Sequence, residues 1–168
     1  MISPDYCRVM ARYNLWQNND LRRLVKAMDE EALRADRGAY FGSIFATLNH
    51  LLWADMIWMN RLGAGEAPPV PASEHREITP NKHEWDRLRF VMDGRIREWA
   101  AGLHAVDLTG DLVWFSGMKN REISNPVAVC VTHMFNHQTH HRGQIHAMMT
   151  AAGQTTTDTD LIFMPEPG

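Results

Sequence analysis

An all-α fold is what this sequence predicts: a four-helix bundle with a long crossover between its second and third helices and a small irregular hairpin before the last. Three observations predict it. Apolar residues recur at three- and four-residue steps through long stretches of the chain, the spacing that lines one face of a helix. Serine, threonine, asparagine and proline stand where those stretches begin, as cap and first-turn residues do. One long proline-containing segment separates the second stretch from the third. Bundles of this kind build metal sites from side chains on facing helices.

The 168 residues, 45% hydrophobic and 22% charged, suit one domain over 1–168 with a sizeable core. A formal charge of −3 gives no general attraction to nucleic acid or to an anionic membrane. The richest apolar run, Leu51 to Met59, contains Asp55 and is too short to span a bilayer. Asp5, Arg8 and Arg12 leave no room for a secretory signal, so a cytoplasmic protein with Cys7 and Cys130 as reduced thiols is expected.

Ser3-Pro4-Asp5 opens the first helix with a cap, a proline and an acid in the first turn. Tyr6, Met10, Tyr13, Trp16, Leu21, Leu24 and Met28 form its apolar stripe, with Arg22, Arg23 and Lys26 on the wet side. Asp29-Glu30-Glu31 reads as a loop or the start of a short turn, and Asp36-Arg37-Gly38 as a break. The second helix runs from about Ser43 to Leu62. Leu48, Leu51, Leu52, Met56, Trp58, Met59 and Leu62 leave little of it polar, which places it centrally. Gly63 to Thr79, with Pro68, Pro69 and Pro71, is the crossover. Thr79-Pro80 is expected to cap the third helix, striped by Trp85, Leu88, Met92, Ile96, Trp99 and Leu103. Leu112 to Phe115 and Arg121 to Ile123 flank Ser116-Gly117-Met118-Lys119-Asn120 as an irregular hairpin or extended arm. Asn125 is expected to cap the last helix, Pro126 to open it and Gly153 to end it, with a surface tail through Pro165-Glu166-Pro167.

Nine histidines ask for an explanation, and the last helix holds the densest group. At about 100° per residue, Val127, Cys130, Val131, Met134, Ile145, Met148, Met149 and Ala152 share one face. His141 falls in the middle of that face and His137 at its edge. An i, i+4 histidine pair on a helix can grip one metal ion, as in the zinc-protease helix, although no glutamate follows the first histidine here. His50, set among Ala46, Trp53, Ala54 and Ile57, is the best third ligand.

A histidine on an apolar face is otherwise a hydrogen-bonded core residue, and the residues alone leave both readings open. His133 and His140 lie near the pair. His75, His83 and His104 are expected to be solvated, and His146 to face away from the core. Cys130 stands too far along the helix to share the ligand set and reads as an apolar filler. Gly143 would let another backbone approach.

Four stretches resemble the DinB family of metalloenzyme-like proteins. They are Arg12-Tyr13-Asn14-Leu15-Trp16-Gln17-Asn18, Asp36-Arg37-Gly38-Ala39-Tyr40-Phe41-Gly42-Ser43-Ile44, Leu48-Asn49-His50-Leu51-Leu52-Trp53-Ala54-Asp55, and Phe135-Asn136-His137-Gln138-Thr139-His140-His141-Arg142-Gly143-Gln144. Asp160-Leu161-Ile162 fits the family's tail.

The resemblance implies a four-helix bundle, often a homodimer, that binds one divalent ion, zinc or nickel, through His50, His137 and His141. It implies activation of water or a thiol for hydrolysis or group transfer, with a low-molecular-weight thiol among the candidate partners. The alternative is a non-catalytic metal-binding or structural dimeric bundle. Gln138, Gln144, Asn49, His133 and Asp55 are the polar groups nearest the ligands in sequence, and no carboxylate stands out as a general base.

Overall fold

Ser3 starts the first helix of the computed structural model, which describes residues 1–117 and 119–166. Its hydroxyl accepts from the Tyr6 amide, and α1 runs Pro4–Ala27. A short α2, Glu30–Arg34, follows where the sequence suggested a loop or one turn. Gly38 and Gly42 then take φ of 65° and 83° around a small bridge between Ala39 and Gly42, a turn that residues with a Cβ rarely adopt. Ser43 caps α3, Ile44–Arg61, by accepting from the Ala46 amide. The crossover contains one 3-10 turn, Ala72–Glu74. It leads into α4, Lys82–Gly102. β1, Asp111–Ser116, pairs antiparallel with β2, Arg121–Pro126, and α5, Val127–Ala151, closes the helical part. Gly153, with φ of 77°, lets the chain turn off its end. Met118 of the expected turn and Pro167 of the expected tail lie outside the described residues.

The fold is mostly helical with one two-stranded sheet. Helix α1 packs on α4, α4 on α3, α3 on α5, and α5 on α1. Among the described residues, no helix is long and apolar enough to cross a membrane.

Three boundaries differ from the sequence expectation. α4 is capped by Asn81, whose side chain accepts from the His83 and Glu84 amides. Thr79 is not the cap because its amide and hydroxyl both donate to Asn49 of α3. The hairpin is regular, with six-residue strands in continuous register. β2 runs directly into α5, so Asn125 is a strand residue, and Pro126 in the cap position makes no side-chain cap bond.

The core follows the stripes, with one addition. Leu48, Leu52, Trp85, Met92, Ile96, Val131, Met134 and Met149 are all buried. Asn14, Asn18, Asp55, Arg89, Asp93, Gln138 and Arg142 are buried among them. On α4 Arg89 and Asp93 interrupt the predicted apolar stripe at its centre. On α1 the buried face turns toward Asn14 and Asn18, so Trp16 is only half-buried.

Candidate metal centre

Packing of α3 on α5 sets His50 opposite the histidine pair. On α5 the four-residue spacing stacks His137 and His141 with ring centroids 4.3 Å apart. His50 Nε2 lies 3.1 Å from His137 Nε2. One ligand atom from each of His50, His137 and His141 lies within 4.8 Å of the others.

Neighbours orient these rings. His141 Nδ1 lies 2.7 Å from Gln144 Oε1; an amide oxygen only accepts, so Nδ1 carries the proton and Nε2 is left as the lone-pair nitrogen. His50 Nδ1 lies 2.9 Å from His75 Nδ1, so this contact holds the His50 ring by its far nitrogen. Phe41 closes one side, its ring 4.3 Å from that of His50 and 5.4 Å from that of His141.

All three imidazoles are held neutral. Burial, aided by His141, His137 and His75, lowers the pKa of His50 to about 3. Burial, with His141, His133 and His140 nearby, lowers His137 to about 3 as well. Burial also lowers His141, against the opposing pull of Gln144. Neutral imidazole is the form that ligates a metal. Tetrahedral coordination at about 2.0 Å sets neighbouring nitrogens about 3.3 Å apart. The His50–His137 spacing is close to that value. Two unprotonated ring nitrogens at that distance repel unless a proton or a cation lies between them. The His50–His137 pair has the spacing a shared divalent ion would need, and His141 completes a three-histidine cluster within 4.8 Å.

His75 was expected in solvent and instead touches His50. The crossover brings it there: the Trp53 indole donates to Val70 O at 3.0 Å, and Asn49 holds Thr79. The sequence carried no periodic signal in that loop. His83 and His104 are exposed, as expected. His146 is half-buried and lines a cavity, because the tail returns over that side of α5. Nothing approaches the position a Cβ would take at Gly143, so no second backbone packs there.

Of the other nearby polar groups, Asn49 holds the crossover, and Asp55 and Gln138 pair with each other in the core. His133 packs against Trp58 at 5.2 Å between ring centroids. Cys130 is buried beside Asn125 and stands outside the cluster.

These features define a class: helical proteins that gather three histidines from two packed helices into one cluster. A model of the DinB family matches residues 1–167, and the chain belongs to that family. Protein DinB of Bacillus subtilis (strain 168) is 21% identical over 157 residues, covering 93% of this chain and 91% of that protein. The crystal structure of a DinB-like protein from Bacillus cereus ATCC 10987 shares the fold. Its TM-score is 0.63 at 16% identity, over 86% of this chain and 91% of that one.

Proposed function

We propose that this chain is a single DinB-like domain, a four-helix bundle over 1–168, that holds one divalent ion on His50, His137 and His141. The observation that carries the proposal is three neutral imidazoles with ligand atoms inside 4.8 Å. A divalent ion held by His50, His137 and His141 would supply Lewis acidity, making a water or thiol at the site more acidic. Imidazole donors suit zinc, nickel, copper and iron alike, and the family resemblance points to zinc or nickel among them. The chain's own part is positional. His75 and Gln144 hold two of the ligand rings, and Phe41 excludes water from one side.

The function we infer is metal-dependent hydrolysis or group transfer, with a low-molecular-weight thiol as a candidate partner and a homodimer as the assembly. Metal analysis of the purified protein tests the first part. His141→Ala is expected to lose the metal and His146→Ala to retain it; equal content in both overturns the ligand set. The cobalt-substituted protein titrated with 2-mercaptoethanol tests the second. A new sulfur-to-cobalt absorption band supports an open position, and a spectrum insensitive to thiol and to added anions assigns the ion a structural role. Sedimentation of the wild-type chain checks the dimer.

A further inference from the structure

A cavity of about 220 Å³ lies between α1, α5 and the C-terminal tail, and none of the three clustered histidines lines it. Tyr13, Gln17 and Asp20 contribute from α1, Thr139 and Arg142 from α5, and Thr157 from the tail. The tail is tied down as a wall. The Tyr13 hydroxyl donates to Thr159 O at 2.5 Å, and the Gln17 amide donates to Asp158 O at 3.1 Å.

Arg142 supplies the chemistry. It is 6% exposed. Its NH1 donates to Asn14 Oδ1, its NH2 lies 3.5 Å from Thr139 Oγ1, and its guanidinium sits 5.3 Å from the centre of the Tyr13 ring. Among the described residues, no carboxylate comes within 4.0 Å of it. The nearby buried acids, Asp55 and Asp93, are both turned to Arg89. Burial lowers the pKa of Arg142 to about 10, which leaves it charged at neutral pH. A guanidinium carries five N–H donors, and the ones used here go to neutral oxygens. A cation in that position, lining a cavity, favours an oxyanion.

We propose that this cavity binds a small monocarboxylate, with its oxygens on the Arg142 guanidinium. The planar fork of arginine matches a carboxylate. A volume of about 220 Å³ suits a small organic acid. Asp20 also lines the cavity, and its charge is matched by Arg23, which donates twice to Asp20 Oδ1. Gly143 lines the same cavity, and a Cβ there would meet open space.

The test is an NMR titration of the full chain with sodium acetate, following the Gly143 and Thr157 amides, with acetamide as the neutral twin. Saturable shifts are expected with acetate and not with acetamide. Arg142→Gln is expected to weaken acetate binding at least about tenfold. Gly143→Leu fills the cavity at a helical position where glycine is a poor helix former, so it should fold and lose acetate binding. It decides the matter if Arg142→Gln does not fold. His141→Ala should keep acetate binding, which separates this site from the histidine cluster. The proposal is overturned if acetamide matches acetate, if both cavity variants bind as wild type does, or if His141→Ala abolishes binding. Inorganic phosphate binding more tightly than acetate also overturns it.

Discussion

His75 touches His50 from a loop that, in sequence, carried no sign of a site. In the proposed ligand set each histidine would be oriented by whatever its second nitrogen meets, and for His50 that is His75 Nδ1 at 2.9 Å. His75→Ala is therefore expected to weaken metal binding about 10- to 100-fold while the helices stay folded. Competition with a chromophoric chelator measures this, and unchanged affinity would remove His75 from the positioning role.

The same buried rings set a pH dependence. Unfolded histidines titrate near 6.5, whereas folded His50 and His137 titrate at about 3. Between those values the unfolded chain holds more protons, so the metal-free protein loses stability as pH falls through the window. Asp93 acts in the opposite sense. Burial raises it from 3.8 to about 6, so its folded form gains a proton that its unfolded form lacks over that narrower range. Urea midpoints of metal-free protein from pH 7.5 down to about 6 see mainly the histidines and should fall; a rise would contradict their burial.

At this scale the i, i+4 pair and His50 were legible because helical periodicity fixes which residues share a face. His75 was not, since a loop has no period.

One asparagine governs where the crossover goes. Asn49 Oδ1 accepts from the Thr79 amide at 2.9 Å and from its hydroxyl at 2.7 Å, and all of these groups are buried. That contact moved the start of α4 from the expected Thr79 to Asn81, because a threonine engaged across the core cannot cap the helix behind it. Asn49→Ala would leave both Thr79 donors without their acceptor, at a cost of about 1–3 kcal/mol. A thermal unfolding scan should show that loss. Metal affinity should fall with it, since the loop that carries His75 is no longer anchored. Destabilisation with full metal affinity would mean that the loop finds its place without Asn49.

The long helices themselves were readable from their apolar stripes; of the expected N-terminal caps only Ser3 held, while Asn81 took the place of Thr79 and Asn125 went into β2. The junction at Pro126 was not readable, because a proline there serves the end of a strand as well as the first turn of a helix.

Across the whole molecule, the four long helices meet at a buried polar network that no apolar stripe announced. Asp55 of α3 accepts from Gln138 of α5 at 2.9 Å and from Arg89 of α4 at 2.7 Å. Arg89 NH2 also lies 2.8 Å from Asp93 Oδ1, close enough for an ion pair though poorly aligned as a hydrogen bond. Asn14 and Asn18 of α1 donate to that same Asp93 oxygen at 3.0 and 2.8 Å. The sequence hid this because Arg89 and Asp93 sit four apart, where a surface ion pair on a wet face would also place them.

Burial opposes the charge on Arg89, but Asp93 and Asp55 outweigh it and hold its pKa up. Arg89→Met removes the cation both acids share and leaves two carboxylates in the core, at a cost of about 3–5 kcal/mol at neutral pH. Urea denaturation should show it, with Asp93→Asn costing less because it keeps the cation matched to Asp55.

Acid then distinguishes a charge effect from a cavity. Arg89 lowers the pKa of Asp93, so its loss moves the folded-state value above about 6. A raised folded-state pKa gives stability that is present at low pH and lost as pH rises through it. The deficit of Arg89→Met relative to wild type should therefore shrink as the pH is taken from 7.5 to about 5. A deficit that stays constant over that range would mean the arginine fills space and balances no charge.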